Sequence, residues 1–210
     1  MIRLLLADDH TIVRNGLKQI MAGTTDIVVA GEASSGAEVL EIARKIKFDL
    51  LLLDLNMPGV SGPDLIRRVL AENQLVRILV LSMHNESQVV SRALQAGACG
   101  YVTKDSDQEI LISAIRAVAA GGKFIDPALV EAMVFGDIES NSSPHNVLSD
   151  RELQVLHMVA AGHKVGAIAD TLYLSAKTIS THKANLMQKL NIKNNADLVR
   201  YAIRHNLVMK

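Results

Sequence analysis

Short apolar runs that end in acidic residues are the feature that most limits how this chain can fold. The first run, Ile2–Ala7, leads into Asp8 and Asp9, and the second, Leu50–Leu53, leads into Asp54. Runs of this kind are typical of buried strands in a parallel sheet. Because the carboxyl ends of parallel strands line the ligand crevice of such a sheet, we expect the three carboxylates to meet there.

Three carboxylates at one point repel one another, and a hard divalent cation relieves this repulsion because carboxylate oxygens are its natural ligands. Asp8, Asp9 and Asp54 are therefore candidate metal ligands. A single aspartate at a strand end is usually a helix cap or a turn residue, and this is the structural alternative for each of them. Three at one sheet edge favour the cation.

Strand-like and helix-like segments alternate from residue 1 to about residue 120. This alternation predicts a doubly wound α/β domain with a five-stranded parallel sheet. The predicted strands are Ile2–Ala7, Ile27–Ala33, Asp49–Leu53, Arg77–Leu81 and Gly100–Val102. The predicted helices are Thr11–Ala22, Gly36–Ile46, Pro63–Glu72, Glu86–Ala96 and Asp107–Ala119.

Two more polar residues follow predicted strands and should reach the same edge. Lys104 follows the fifth strand and can hold phosphoryl oxygens as a point charge, although an ion pair alone is the simpler role. Ser82 ends the fourth strand and offers a hydroxyl. Carboxylates, a hydroxyl and a lysine together fit phosphoryl transfer to an aspartate. His10 and His84 lie near the edge, and we assign neither a metal role.

Residues 1–120 resemble the receiver domain of bacterial response regulators. The resemblance is carried by Asp8-Asp9, by Asp54-Leu55-Asn56-Met57-Pro58-Gly59 with Gly62 beyond it, by Ser82, and by Tyr101-Val102-Thr103-Lys104. It implies that Asp54 is the phospho-acceptor and that Lys104 contacts the phosphoryl group. It also implies Mg²⁺ bound by Asp8, Asp9, Asp54 and the backbone carbonyl of Asn56.

The resemblance further implies that Ser82 and Tyr101 form a switch pair. The Ser82 hydroxyl would move to bond the phosphoryl oxygens, and the Tyr101 ring would fill the vacated space. Taken alone, Tyr101 is more simply a partly buried aromatic residue with its hydroxyl in water. A histidine kinase or a phosphotransfer protein is the implied phosphodonor. The chain is then not a dedicated enzyme, although it accepts a phosphoryl group and is expected to dephosphorylate itself.

Charge divides the chain into two parts. Residues 1–147 carry 13 Lys and Arg against 18 Asp and Glu, whereas residues 148–210 carry 9 against 4. An acidic part joined to a basic part indicates domains with different partners, and the basic one is a nucleic-acid candidate. Segment 121–147 is polar around Glu139–Asn146 and is predicted to be a linker, with a short helix at Asp126–Phe135.

Residues 148–210 are predicted to be wholly helical. Ser149 and Glu152 have the spacing of a capping box, and Gly162 is placed to end the first helix. Shorter and longer helices follow at Val165–Leu172 and Ala176–Leu190, and a last one begins at Asn194 or Asn195 and runs through His205. Short helices with short connections in a basic domain indicate a helix-turn-helix.

This part resembles the LuxR-type helix-turn-helix of the NarL/FixJ subfamily. The matching segments and residues are Leu148-Ser149-Asp150-Arg151-Glu152-Leu153-Gln154-Val155-Leu156, Ala161-Gly162, Ile168-Ala169, Leu172, Ser175, Lys177-Thr178-Ile179, His182 and Lys189-Leu190-Asn191. The resemblance makes Ala176–Leu190 the recognition helix in the major groove. The candidate contacts to double-stranded DNA are Ser175, Lys177, Thr178, Ser180, Thr181, Lys183 and Lys189.

The resemblance is not uniform. Val165-Gly166-Ala167 stands where many relatives carry Asn-Lys-Glu, and Ser180 stands where many carry lysine. Phosphate contacts at these positions do not carry over. By analogy with the subfamily, we expect a homodimer when the protein is phosphorylated or on DNA, with Leu198 and Ala202 of the last helix as candidate dimer contacts.

Three other function classes compete with a transcription regulator. An aspartate-nucleophile phosphatase usually has a second aspartate two residues after the nucleophile, and Asn56 cannot do that work. A flavodoxin-like cofactor binder needs a glycine-rich loop after the first strand, where this chain has Asp8-Asp9-His10. An interaction module that acts without DNA stays open and would show no DNA binding even at low salt.

Composition adds two expectations. No apolar stretch is long enough for a membrane span. The acidic pair that follows the first apolar run is not compatible with a secretory signal at that run. Cys99 is the single cysteine, so no intrachain disulfide can form, which fits a reducing cytoplasm.

Overall fold

A computed structural model describes residues 1–130, 148–172, 174–205 and 207. The chain divides into two compact units, Met1–Glu139 and Ser140–Lys210. In the first unit, strands and helices alternate as predicted, with bounds that differ from the expected ones by at most one residue. They are β1 (Ile2–Ala7), α1 (Thr11–Ala22), β2 (Ile27–Ala33), α2 (Gly36–Lys45), β3 (Leu50–Leu53), α3 (Gly62–Glu72), β4 (Arg77–Ser82), α4 (Ser87–Gln95), β5 (Gly100–Thr103), α5 (Gln108–Ala119) and β6 (Phe124–Ile125).

The sheet is parallel throughout and has the strand order β2-β1-β3-β4-β5-β6. The predicted fold class is confirmed, but the predicted number of five strands is wrong. A sixth strand, β6, pairs with β5 through Gly100 opposite Phe124 and Tyr101 opposite Ile125. It lies within the segment 121–147 that was predicted as a linker, and two residues are too few to show a strand pattern.

Gly100 explains why β6 can pair so closely with β5. A Cβ at this position would lie 2.7 Å from the carbonyl oxygen of Phe124 and 2.8 Å from a methyl carbon of Leu79. Only glycine leaves room for both neighbours at once.

Strand residues alternate between two apolar layers, as a sheet covered on both faces requires. Leu5, Leu51, Leu53, Ile78, Val80 and Tyr101 face α2, α3 and α4. Leu4, Leu6, Leu50, Leu52, Leu79 and Val102 face α1 and α5. Burial of these aliphatic side chains is the main stabilising term, at roughly 1.5–3 kcal/mol for each fully buried residue.

The order of the strands reverses at β1, because β2 lies on one side of it and β3 on the other. In open α/β sheets, the crevice at such a reversal, outside the carboxyl ends of the strands, is where ligands bind. The edge that holds Asp8 and Asp54 is therefore the expected place for a site.

The second unit is helical in its described residues: α6 (Asp150–Ala160), α7 (Val165–Leu172), α8 (Ala176–Lys189) and α9 (Asn195–Arg204). The predicted capping box is present, because Ser149 Oγ accepts from the Glu152 N–H and the Glu152 carboxylate accepts from the Ser149 N–H. Gly162 has a positive φ of 88° directly after α6, as a helix-terminating glycine requires.

The predicted helix at Asp126–Phe135 lies partly outside the described residues. Residues 127–130 are helical and directly follow Asp126. The rest of that prediction falls on residues that the structure does not describe. Among the described residues, every helix is too short or too polar to traverse a lipid bilayer.

Candidate functional site

Backbone hydrogen bonds bring the acidic residues to the reversal point of the sheet. The N–H of Asp8 donates to the carbonyl of Ala33 at 3.1 Å, and the N–H of Asp54 donates to the carbonyl of Ala7 at 2.8 Å. Each aspartate thus continues its strand by one residue beyond the ladder. The parallel pairing of β1 with β3 places both side chains in the same crevice.

The predicted carboxylates form one cluster. Ligand atoms of Asp8, Asp9, His10 and Asp54 all lie within 4.8 Å of one another. Asp8 is 2% exposed and Asp54 is 3% exposed, while Asp9 is half-buried. The alternative of simple helix caps does not describe this arrangement, because the residue at the N-terminus of α1 is His10 and its side chain makes no capping hydrogen bond.

Lys104 lies among these carboxylates, as predicted. Its Nζ is 2.6 Å from Asp8 Oδ2 and 2.8 Å from Asp54 Oδ2. The backbone N–H of Lys104 donates to the carbonyl of Ser82 at 2.9 Å, which holds the loop after β5 against the end of β4. The ammonium therefore bridges the ends of β1 and β3.

The two central groups of the site perturb each other's acidity. Burial raises the pKa of Asp54 above its ordinary value, and the Lys104 ammonium offsets only part of that effect. Burial acts to lower the pKa of Lys104, but the Asp54 and Asp8 carboxylates outweigh it and raise this pKa. Additional positive charge near Asp54 would favour its ionised, nucleophilic form.

Two oxygens in the cluster fit a divalent cation. Asp8 Oδ2 and Asp9 Oδ1 are buried. Lys104 Nζ lies 2.6 Å from Asp8 Oδ2, and His10 Nδ1 lies 2.8 Å from Asp9 Oδ1. Several carboxylates buried this close together repel one another, and a hard cation would offset that repulsion and complete their coordination.

Arg14 supports this cluster and was not predicted from the sequence. Its guanidinium donates to the carbonyl oxygen of Asp8 at 2.6 Å, and its Nε lies 3.4 Å from Glu32 Oε2. The contact spans from α1 to the end of β1. An arginine one turn into a helix carries no motif, so only the fold reveals this role.

The predicted switch pair is fully buried. Ser82 and Tyr101 are both 0% exposed. The Tyr101 hydroxyl donates to the carbonyl of His84 at 2.9 Å, and the N–H of His84 donates to Ser82 Oγ at 3.2 Å. Burial raises the pKa of Tyr101, and hydrogen bonding with Ser82 offsets part of this effect. The alternative of a tyrosine hydroxyl in water is wrong.

His84 connects the switch pair to the loop after β3. Its Nε2 and the Asn56 side-chain nitrogen are 2.8 Å apart, and its Nδ1 lies 3.2 Å from Glu86 Oε2. The N–H of Asn56 donates to Asp54 Oδ1 at 3.1 Å. The pairing of Asn56 with His84 was not predicted, because it joins two loops that are 28 residues apart.

The predicted DNA contacts lie on α8 and at its N-terminus. Ser175 caps this helix by accepting from the N–H of Thr178 at 3.0 Å. Its orphan N–H groups and its partial positive charge suit a phosphate. Lys177 is exposed and Lys183 is half-buried. Two lysines and a helix N-terminus therefore form the positively charged part of this surface.

Ser180 and Thr181 are exposed, but their hydroxyl protons have partners. Ser180 Oγ donates to the carbonyl of Ala176 at 2.8 Å, and Thr181 Oγ1 donates to that of Lys177 at 3.0 Å. Bonds of this kind to the preceding turn are usual for hydroxyl residues in helices. Phosphate oxygens need donors, so either hydroxyl must rotate before it can contact DNA backbone.

Lys189 has a partner within its own domain. Its Nζ lies 2.7 Å from Glu152 Oε2, and the same oxygen accepts from the Ser149 N–H at 2.7 Å. This ion pair joins the end of α8 to the start of α6. Burial acts to raise the pKa of Glu152, but Lys189 and Ser149 outweigh it and lower this pKa.

The predicted dimer contacts in the last helix are wrong. Leu198 and Ala202 are both 0% exposed, because α9 packs them into the core of the second unit. Ile203 lies on the same helix and is 60% exposed. An amphipathic helix buries one face and exposes the other. The sequence pattern did not show which apolar residues of α9 lie on the buried face.

Two family comparisons divide the chain at the same place as the fold. Residues 4–116 match the family described as the response regulator receiver domain. Residues 146–202 match the family described as bacterial regulatory proteins of the luxR family. The first match includes the acidic cluster and Lys104, and the second includes α6, α7 and α8.

Individual proteins match over nearly the whole chain. The response regulator GacA of Pseudomonas aeruginosa is 36% identical over 210 residues, which is 99% of this chain and 98% of that protein. RcsB of Salmonella enterica serovar Typhimurium, bound to the promoter P1flhDC in the presence of the phosphomimetic BeF3-, matches with a TM-score of 0.69 at 28% identity, covering 95% of this chain and 97% of that one. A structure of two RcsB dimers bound to two parallel DNAs matches with a TM-score of 0.61 at 29% identity, covering 96% and 98%.

Proposed function

The chain belongs to the bacterial response regulators that join a receiver domain to a LuxR-type DNA-binding domain, and we propose that Asp54 is the residue on which it is phosphorylated. It is a phosphorylation-controlled transcription regulator of the NarL/FixJ type. The observation that supports the role of Asp54 is its place beside Lys104 and Asp8, buried at the reversal point of the sheet.

The chemistry follows from the groups in the crevice. A carboxylate oxygen of Asp54 attacks the phosphorus of a phosphohistidine on a histidine kinase or phosphotransfer protein. The phosphorus–nitrogen bond breaks, and the leaving imidazole takes up a proton. Lys104 is held within 2.8 Å of the acceptor oxygen and can neutralise charge on the transferred oxygens.

We assign the divalent cation to Asp8, Asp9 and Asp54, with the backbone carbonyl of Asn56 as a further ligand. The cation is Mg²⁺, which prefers oxygen ligands and is usually held by one or two carboxylates together with phosphate oxygens. When bound, it offsets the charge of the carboxylates and of the incoming phosphoryl group. The close clustering of the buried Asp8, Asp9 and Asp54 oxygens supports this assignment.

Ser82 and Tyr101 are proposed to change their hydrogen bonds when Asp54 carries a phosphoryl group. In the structure, Ser82 Oγ accepts from the His84 N–H, and Tyr101 donates to the His84 carbonyl. A phosphoryl group on Asp54 offers the Ser82 hydroxyl a stronger, charged acceptor. Because the Tyr101 ring is already buried, the response consists of rearranged hydrogen bonds around His84 and not of ring burial alone.

The output is proposed to be promoter binding by α8 in the major groove. Lys177, Lys183 and the N-terminus of α8 at Ser175 supply the charge for backbone contacts, and Thr178, Ser180 and Thr181 are the other candidates, whereas the Lys189 ammonium pairs with Glu152. RcsB binds DNA as dimers in a related structure, and we propose that this chain also acts as a homodimer on DNA. Ile203 is an exposed, large apolar residue of α9 that a second copy could contact.

Two further parts of the proposal concern lifetime and place. Water that enters the site beside Asp54 would hydrolyse the acyl phosphate, so we propose that the protein dephosphorylates itself and has no separate enzymatic substrate.

A regulator that takes a phosphoryl group from a histidine kinase and binds promoter DNA works in the cytoplasm, and this is its proposed location.

The assignment of Asp54 is tested by incubating the purified chain with acetyl phosphate and Mg²⁺ and measuring its intact mass. We expect the wild type to gain one phosphoryl group, mapped to Asp54, and Asp54→Asn to gain none. Asp64→Asn, which changes an exposed aspartate on α3, should behave as the wild type. Phosphate on another residue in the wild type would contradict the assignment.

A further inference from the structure

Asp126 is a buried carboxylate that phosphoryl transfer does not use. It directly follows β6 and is 2% exposed. It lies on the β5 side of the sheet and belongs neither to the acidic cluster nor to the switch pair. A buried carboxylate is costly unless hydrogen bonds satisfy it, so its partners indicate what it does.

Asp126 is bonded to three different parts of the chain. Its N–H donates to the carbonyl of Tyr101 at 2.9 Å. Its Oδ2 accepts from the Ser106 hydroxyl, and its Oδ1 accepts from the N–H of Ala128 at 3.0 Å. The Ser106 hydroxyl is also 2.7 Å from Thr103 Oγ1. One residue thereby joins the strand of Tyr101, the loop after β5, and the helical turn at 127–130.

The loop that Asp126 holds is the one that carries Lys104. The N–H of Ser106 donates to the carbonyl of Thr103 at 3.2 Å, so residues 103–106 form one tight turn. The backbone of Lys104 therefore lies in the same turn as Ser106. On the other side, Leu129 is 2% exposed and packs in the same apolar layer as Tyr101.

We propose that Asp126 is a positioning residue that couples the phosphorylation site to the segment leading to the DNA-binding domain. The proposal rests on the function assigned above. A phosphoryl group on Asp54 replaces a carboxylate oxygen as the partner of the Lys104 ammonium, which shifts that side chain and the turn behind it. Because a buried carboxylate oxygen is costly without its donor, Asp126 moves together with Ser106.

The consequence of this movement falls on the residues after Asp126. The carboxylate accepts from the Ala128 N–H and so caps the helical turn at residues 127–130. A shift of Asp126 reorients the start of that turn, and the chain continues from there to residues 148–210.

The test compares full-length wild type with Ser106→Ala and Asp126→Ala, and uses Asp107→Asn as the matched control. Asp107 is an exposed aspartate next to the same turn, and its side chain makes no capping hydrogen bond. Phosphoryl uptake from acetyl phosphate is measured by intact mass. DNA affinity is measured with and without the phosphodonor, on a duplex that phosphorylated wild type enriches from a random-sequence library.

We expect every variant to take up phosphate as the wild type does. The gain in DNA affinity on phosphorylation should fall by about fivefold or more in Ser106→Ala and Asp126→Ala, which is the low end of typical coupling between sites, and stay unchanged in Asp107→Asn. An unchanged gain in Ser106→Ala would overturn the proposal, even if its thermal stability falls, because a purely structural role lowers stability without altering this ratio.

Failure of the proposed function gives a different result. In that case the wild type takes up no phosphate on Asp54 or shows no gain in DNA affinity, whatever the variants do. If Asp126→Ala does not fold, Ser106→Ala alone decides the matter, since it removes the donor and keeps the carboxylate. Hydrogen exchange of residues 124–130 should change on phosphorylation in the wild type and not in Ser106→Ala.

Discussion

The ammonium of Lys104 lies 2.8 Å from Asp54 Oδ2, although the two residues are 50 positions apart in the chain. The same ammonium lies 2.6 Å from Asp8 Oδ2. One positive charge thus holds two buried carboxylates together. If Asp54 is phosphorylated as proposed, this contact must rearrange, so we expect Lys104 to be the first side chain that moves.

Lys104→Ala should leave the fold in place but weaken both its stability and its phosphorylation. Without the ammonium, two buried carboxylates lose their counter-charge, so the free energy of unfolding should fall by about 3 kcal/mol at neutral pH without Mg²⁺. Added Mg²⁺ should restore part of this loss. Phosphoryl uptake should slow by about 10²-fold, which is typical for loss of one charge-stabilising donor.

Urea unfolding with and without Mg²⁺, and the rate of mass gain with acetyl phosphate, check these effects. Lys45→Ala on α2 is the control, because its exposed ammonium pairs with Glu41 one turn away and lies outside the acidic cluster. A Lys104→Ala protein that is phosphorylated at the wild-type rate would place the transferred oxygens away from this side chain.

Gly36→Ala should destabilise the first domain and disturb the loop that follows Asp54. A Cβ at Gly36 would lie 1.7 Å from the carbonyl oxygen of Val60, and the N–H of Gly36 donates to the carbonyl of Pro58 at 3.2 Å. Since backbone must move to make room, we expect a loss of roughly 2 kcal/mol in urea unfolding and slower phosphoryl uptake.

Gly16→Ala is the matched control for Gly36→Ala. Gly16 lies inside α1, and a Cβ there meets nothing within 4 Å. This change should stabilise the protein by about 0.5–1 kcal/mol, because alanine is the better helix former. Equal effects of the two substitutions would show that the contact between α2 and the loop does not constrain the site.

Lys183→Ala should weaken DNA binding at every sequence and lower the slope of log affinity against log salt by about one. The physical reason is the loss of one counterion-releasing contact with phosphate. Lys189→Ala should act differently, because its ammonium is bound to Glu152. It should cost about 1 kcal/mol of domain stability, since the pair is partly exposed, and leave the salt slope nearly unchanged. Titrations at several salt concentrations separate the two roles.

Glu152 should make the DNA-binding domain sensitive to acid. Its pKa in the folded protein lies below the ordinary value of 4.5, because Lys189 and Ser149 favour the carboxylate more than burial disfavours it. The resulting stability is present above pH 4.5 and is lost as the pH falls through the folded pKa. Glu152→Gln should therefore be less stable than the wild type at pH 7, with a difference that shrinks below pH 4.5.

Urea unfolding of the full chain, followed by NMR signals of α6 and α8 at several pH values, measures this difference. Asp170→Asn, at an exposed position on α7, should keep the wild-type pH dependence. A constant gap between wild type and Glu152→Gln across this pH range would show that the carboxylate contributes through its shape and not its charge.

The sequence was informative where function depends on strand ends. Apolar runs that stop at Asp8 and Asp54 predicted both the sheet and the acidic crevice, because parallel strands must bring their carboxyl ends to one edge. Ser149 and Glu152 likewise predicted a helix start, since a capping box is a local device. Local patterns of this kind are set by neighbours in the chain.

The contacts that the sequence did not predict join distant segments. β6 exists because Gly100 leaves room for Phe124, and Asn56 meets His84 only because β3 and β4 are adjacent. The burial of Leu198 was missed because an apolar residue on a helix can face either a core or a partner. Such features follow from packing in three dimensions.

The central claim is that a phosphoryl group on Asp54 controls DNA binding by α8. The most direct measurement is the DNA affinity of full-length wild type and Asp54→Asn, each with and without acetyl phosphate and Mg²⁺, on the enriched duplex. We predict that the phosphodonor tightens binding of the wild type by roughly fivefold or more and leaves Asp54→Asn unchanged. An equal response of both proteins, or of neither, would contradict the claim.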